Sequence, residues 1–149
     1  MAIRHIRGLF AVVAMTLATM AFPHQAESQG PAGTVWTQLE AVYDWADAEG
    51  YSTRNYIIGK LDEDEKDTWT MTLYGGNDYL IIGACDGDCG DLDIALLDEY
   101  DNTVARDTET DDVPVVELSL KNQGRYQIQV TMYSCSVEPC YFGLGIFYK

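Results

Sequence analysis

The chain has 149 residues, 47% of them hydrophobic, and sets 24 acidic against nine basic side chains for a net charge of −15. Such a surface repels nucleic-acid phosphates and anionic lipid headgroups, which excludes both as partners. The only histidines are His5 and His24, so nucleophilic triads and zinc hydrolysis built on imidazole have no residue to use in the body of the chain.

In chain order, the first expected element is a signal peptide over residues 1–26, with cleavage near 21–26. Arg4, His5 and Arg7 form a basic start, and an uncharged apolar run from Leu9 to Phe22 follows. Small residues then recur at Ala18, Ala21 and Ala26, as a signal peptidase requires. The run covers 14 residues, short of the roughly 20 that span a bilayer. No cysteine follows it closely, so no lipid anchor is indicated. The expected localisation is therefore export, to the periplasm or the medium. About 125 residues remain after cleavage, the size of one domain. They carry seven bases against 24 acids, a charge of about −17. A high-salt habitat or solubility alone calls for the same balance as a cationic ligand does.

Residues 27–50 read as a polar N-terminus to Gly33 followed by one amphipathic helix. Val35, Leu39, Val42, Tyr43 and Ala46 recur at helical spacing, and Gly50 stops the pattern. Trp36 and Trp45 are expected to pack in the core, with a sugar-stacking surface as the alternative. From Tyr51 to residue 149 the period changes to two. The expected strands are Arg54–Gly59, Thr68–Leu73, Tyr79–Ala84, Asp91–Leu96, Val116–Leu120, Tyr126–Met132 and Phe142–Tyr148, with turns at Gly75–Asp78 and Asn122–Gly124. Seven or eight short strands indicate an all-β antiparallel β-sandwich carrying one N-terminal helix.

Four cysteines in an exported chain point to disulfides, for which three pairings exist. Cys85–Cys89 and Cys135–Cys140 are favoured, because each pair flanks a short turn-like segment. A zinc site is the competing reading, and it lacks a nearby histidine. The acids suggest calcium as a candidate ligand. Asp86, Asp88, Asp91 and Asp93 surround a glycine-containing turn, and Asp107, Asp111 and Asp112 form a second group; clustered loop carboxylates suit hard divalent cations. The EF-hand spacing is absent, since counting from Asp86 puts Asp91 where glycine is needed and Leu97 where glutamate is needed. No glycine-rich phosphate loop or Gly-x-Ser-x-Gly turn occurs. Paired carboxylates leave a glycosidase as the one enzymatic alternative.

The motif order over about Gly59 to Tyr148 resembles the bacterial pre-peptidase C-terminal domain, a small secreted module often appended to exported proteases. The likeness is carried by AspGluLysAspThrTrpThrMetThrLeu, GlyGlyAsnAspTyrLeuIle, AspLeuAspIleAlaLeuLeuAsp, ThrValAlaArgAsp and GlyArgTyrGlnIleGlnVal. It implies a jelly-roll-like sandwich and a non-catalytic accessory role. Calcium, or a polysaccharide or cell-envelope protein as partner, belongs to the variation within that family. The four cysteines depart from its general pattern, and no protease domain accompanies the module in this sequence. The expected function is thus an exported non-catalytic accessory or binding domain, with a carbohydrate-binding module or a glycosidase as alternatives.

Overall fold

A computed structural model describes residues 30–149; the expected signal peptide lies outside the described residues. One helix, α1 (Pro31–Ala48), precedes eight strands: β1 (Ser52–Leu61), β2 (Lys66–Leu73), β3 (Asn77–Cys85), β4 (Cys89–Leu97), β5 (Thr103–Asp107), β6 (Val115–Leu120), β7 (Gly124–Cys135) and β8 (Cys140–Tyr148).

The helix starts three residues earlier than its apolar spacing predicts. Pro31 takes the first helical position, where its missing N–H leaves no bond unmade and its fixed φ already suits the helix. The stop is where Gly50 predicts it. Gly50 has φ 82°, its N–H donates to Asp47 O at 3.0 Å and the Tyr51 N–H donates to Ala46 O at 2.9 Å. This paired closure satisfies the last helical carbonyls and needs a residue free to turn left-handed.

The strands form two four-stranded antiparallel sheets, β1-β8-β3-β6 and β2-β7-β4-β5. Except for β4 to β5, each strand is followed by one in the opposite sheet, which is the order of a jelly roll. The sandwich and its single helix are as the sequence predicts. Strand β5 was not anticipated: it lies at a sheet edge, and of its five residues only Ala105 packs against the core, so no alternation marks it.

Side chains at every second position meet between the sheets. Leu92, Ile94 and Leu96 of β4, Ile128, Val130 and Met132 of β7, Ile81 of β3, and Phe142, Leu144 and Ile146 of β8 form the main core. Strands β3 and β8 are also buried on their other face, where α1 lies. Val35 and Leu39 pack on Ala84, and Ala46 joins Leu80, Ile82 and Phe147. This explains why β3 and β8 read as continuous apolar runs: both faces are covered. Glycine lets the helix come close, since a Cβ on Gly143 would stand 2.6 Å from Leu39 Cδ1 and 2.8 Å from Val35 Cγ1.

Both favoured disulfides form, Cys85–Cys89 and Cys135–Cys140. Each closes an arch that carries the chain from one sheet to the other. The pairing of Cys89 with Cys135 across β4 and β7 puts both arches at one end of the sandwich. A closed loop of this length restricts the unfolded chain by roughly 2 kcal/mol per bridge. Two such bridges belong to a non-reducing, extracytoplasmic environment. No helix among the described residues is long and apolar enough to cross a membrane.

Candidate functional site

The acids proposed as calcium ligands separate into two places. Asp86 is buried in the first arch. Its Oδ2 accepts the Tyr141 N–H at 2.8 Å and its Oδ1 accepts the Asp88 N–H at 3.2 Å. The Asp86 N–H returns a bond to Tyr141 O at 2.9 Å. Its carboxylate therefore fastens the β3–β4 arch to β8. Asp88 contributes through its main chain, whose carbonyl accepts the Ser136 N–H at 2.8 Å and the Ser136 hydroxyl at 2.9 Å. Glu63 ties in the third neighbouring loop, its carboxylate accepting the Cys135 N–H at 3.1 Å.

Asp91, Asp93, Asp107 and Asp111 lie near one another where β4 meets β5 and the loop beyond it. Asp107 accepts N–H bonds from Val115 at 2.7 Å and Glu109 at 3.0 Å, and Asp111 accepts one from Val113 at 2.9 Å. Asp91 Oδ1 is sealed from solvent without a hydrogen-bond partner. Burial, then the nearby Asp111 charge, raises the Asp91 pKa. The Asp93 pKa is pushed up to about 6, first by burial and then by Asp91 and Asp107, with Arg106 opposing and Asp111 adding a smaller push. Among the described residues no three His, Cys, Asp or Glu side chains converge as a metal site. The first expected group is thus divided: Asp86 and Asp88 stand in the arch, while Asp91 and Asp93 lie with Asp107 and Asp111 of the second. Three of the six turn their oxygens to backbone N–H groups, because turns without regular pairing need those acceptors.

The candidate stacking pair is also divided. Trp36 and Trp45 are 38% and 48% exposed, so neither is the core residue the sequence reading favoured. They stand nine residues apart, about half a revolution at 3.6 residues per turn, which puts them on opposite flanks of the docked helix face. The Trp36 ring meets Tyr56 of β1 at 5.7 Å with a 67° interplanar angle, and its Nε1–H donates to Glu40 at 2.8 Å. Two rings set edge to face offer no common plane.

A different surface was not singled out from the sequence: the outer face of the β2-β7-β4-β5 sheet. Register places Lys66 beside Thr131, Thr68 beside Gln129, Thr70 beside Gln127, and Thr72 beside Arg125. On the other side of β7, Asp93 stands beside Thr131 and Ala95 beside Gln129, and Arg106 of β5 follows Ala95. Two depressions of about 190 and 200 Å³ mark this face, one including Asp93, Arg106, Gln129, Thr131 and Tyr133, the other Thr70, Glu99, Arg125 and Gln127. The second is walled by the β4–β5 loop. There Asp98 accepts the N–H groups of Tyr100 and Asn102, both at 2.9 Å, and the Asn102 amide; these bonds lower its pKa. Gln127 donates to Asp101 at 2.7 Å. The legible signal was composition: β7 contains no carboxylate in its 12 residues, although the chain has 24.

No protein-family model matches the chain, and no curated protein is recognisably similar to it.

Proposed function

We propose that this chain is an exported, non-catalytic binding module, an accessory domain of the kind its motif order resembles. The observation that carries this reading is the difference between its two outer faces. The chain's own helix lies on β8, β3 and β1 of one sheet, beside an acid-bordered depression of about 390 Å³ at β3 and β6, whereas among the described residues no element covers the polar face of the other, which carries two depressions. The disulfide-bonded arches hold that face at one end and the Asp98 loop walls it at the other, so it is presented on a rigid support. Among the described residues there is no histidine, the side chain most often used for proton transfer near neutral pH. Asp86, Asp107 and Asp111 serve as acceptors for backbone N–H groups. The partner belongs outside the cytoplasm, as a cell-envelope or extracellular polymer.

The test has two arms. Incubating the purified, oxidised chain with polysaccharides and with casein, at enzyme-scale concentrations and over a day, is expected to release neither reducing ends nor peptides. Export is tested by recovering the chain from an expressing bacterium and sequencing its N-terminus, which is expected to begin between residues 22 and 27. Turnover in the first arm removes the non-catalytic reading; retention of residue 1 on a cytoplasmic protein removes export.

A further inference from the structure

We propose that the outer face of the β2-β7-β4-β5 sheet binds a neutral polysaccharide, centred on Gln129, Arg106, Thr131 and Tyr133. This assignment rests on the binding-module reading above and gives it a ligand class and a location.

The first argument is charge. Residues 30–149 hold seven basic side chains, and three of them, Lys66, Arg106 and Arg125, stand on this one face. Asp93 and Glu99 lie near its two ends, Asp101 accepts a hydrogen bond from Gln127, and no acid comes from β7 itself. The face is thus close to neutral on a molecule that is otherwise strongly acidic. The overall negative field disfavours a polyanion, and the local balance gives a polycation no site.

The second argument is the chemistry of the exposed groups. Vicinal hydroxyls both donate and accept, so they pair with groups that offer donors and acceptors in fixed geometry. The Gln129 amide has both, Arg106 has a planar fork of donors, and the Thr131 hydroxyl serves either way. Among the described residues, the side chains of Gln129 and Tyr133 form no hydrogen bond with the protein, while the Arg106 charge acts on the Asp93 carboxylate in the same depression. Tyr133 is 52% exposed and borders the same depression, where its ring supplies a flat apolar surface for the C–H face of a sugar. The outward positions of β7 from Arg125 to Tyr133 extend roughly 27 Å at strand spacing, room for several linked sugars. A peptide would add to a strand edge or fill apolar side-chain pockets. The proposed centre instead lies on β7, an inner strand of its sheet, and the depression there sets Thr103, Thr108, Thr131 and Gln129 beside its apolar groups.

The test uses the purified, disulfide-bonded chain with insoluble cellulose, chitin and starch, and with polygalacturonate as the anionic counterpart. Depletion of the chain by at least one neutral polymer is expected, with little by polygalacturonate. Titration with oligomers of the retained polymer should show at least a tenfold affinity loss for Gln129→Ala and for Tyr133→Ala. Both variants should keep the wild-type melting temperature, and Trp36→Ala should stay within twofold of wild-type affinity. Retention by none of the neutral polymers overturns the assignment, as does preference for polygalacturonate. Loss of binding in Trp36→Ala with Gln129→Ala unaffected also overturns it. Release of reducing ends would instead remove the non-catalytic reading, with depletion still reporting on this face. Absence of both binding and release removes the glycan assignment alone.

Discussion

The two sheets share one core and differ in what lies on their outer sides. On the β1-β8-β3-β6 sheet, Gly143 admits Leu39 and Val35, Phe147 meets the Tyr43 ring at 5.3 Å, and Leu80 and Ile82 are sealed by the helix. On the β2-β7-β4-β5 sheet the corresponding positions are Thr, Gln and Arg in contact with water. The same pleat thus produces a structural face where a helix is available to cover it and a presented face where none is. The contrast teaches that the helix-docked face is tied to stability while the polar face is not, so substitutions should sort by the face they touch.

The largest effects should follow from uncovering the helix-docked sheet. Leu39→Ala is expected to lower the unfolding free energy by about 2–5 kcal/mol, the range for a fully buried leucine, measured by chemical denaturation. Gly143→Val tests the same contact from the other side, and overpacking there should lower stability by about 1–3 kcal/mol. If either variant unfolds at the wild-type denaturant concentration, the helix is not a structural part of the domain. Next come the arches that join the sheets. Cys85→Ser with Cys89→Ser should lower stability by roughly 2 kcal/mol through the freed loop. A mass spectrum of unreduced peptides should show each arch cysteine linked to its neighbour.

A smaller effect is expected at Asp93, where the open sheet meets the acids of its edge. Its folded pKa of about 6 lies above the ordinary 3.8, so between those values the folded state holds a proton that the unfolded state has released. The associated stability is fully present below about pH 3.8 and is lost as pH rises through about 6. Asp91 acts in the same direction, Asp107 and Asp111 sustain the repulsion and Arg106 opposes it. Asp98, with its lowered pKa, acts oppositely and loses its contribution as pH falls. Asp93→Asn should therefore raise the melting temperature at pH 7 and leave it unchanged at pH 3.5. An equal gain at both values would show that the effect is not ionisation. The smallest effect belongs to the open face itself: Thr70→Ala or Gln129→Ala should shift unfolding by no more than about 0.5 kcal/mol. A loss of several kcal/mol there would erase the distinction between the sheets. Added calcium against chelator measures whether Asp91, Asp93, Asp107 and Asp111, which repel one another there, take a cation: a rise of several degrees in the melt would show a bound ion.

Much of the framework was legible locally. Alternation located seven strands, Gly50 located the end of the helix, and the short Cys85–Cys89 and Cys135–Cys140 spacings suggested their own pairing. What escaped was non-local. Strand β5 presents one core residue, so its pairing with β4 supplies the definition that its own pattern lacks. Asp86 reads as a loop carboxylate, yet its partner is the backbone of Tyr141, 55 positions away. Trp36 and Trp45 look alike in sequence, and only the docking of the helix assigns them to opposite flanks. Jelly-roll connectivity was implied by the motif order, not by the spacing of apolar residues.

By itself, then, the sequence determined which side chains of seven strands point inward, where the chain turns, and that nearby cysteines close short loops. These depend on local geometry: a period of two, a left-handed glycine, a separation of four or five residues. Tertiary structure alone decided which sheet the helix covers, which acids crowd Asp93, and which face remains open to a partner. A strand's pattern says that two faces exist, and only the packing of distant segments says what stands against each of them.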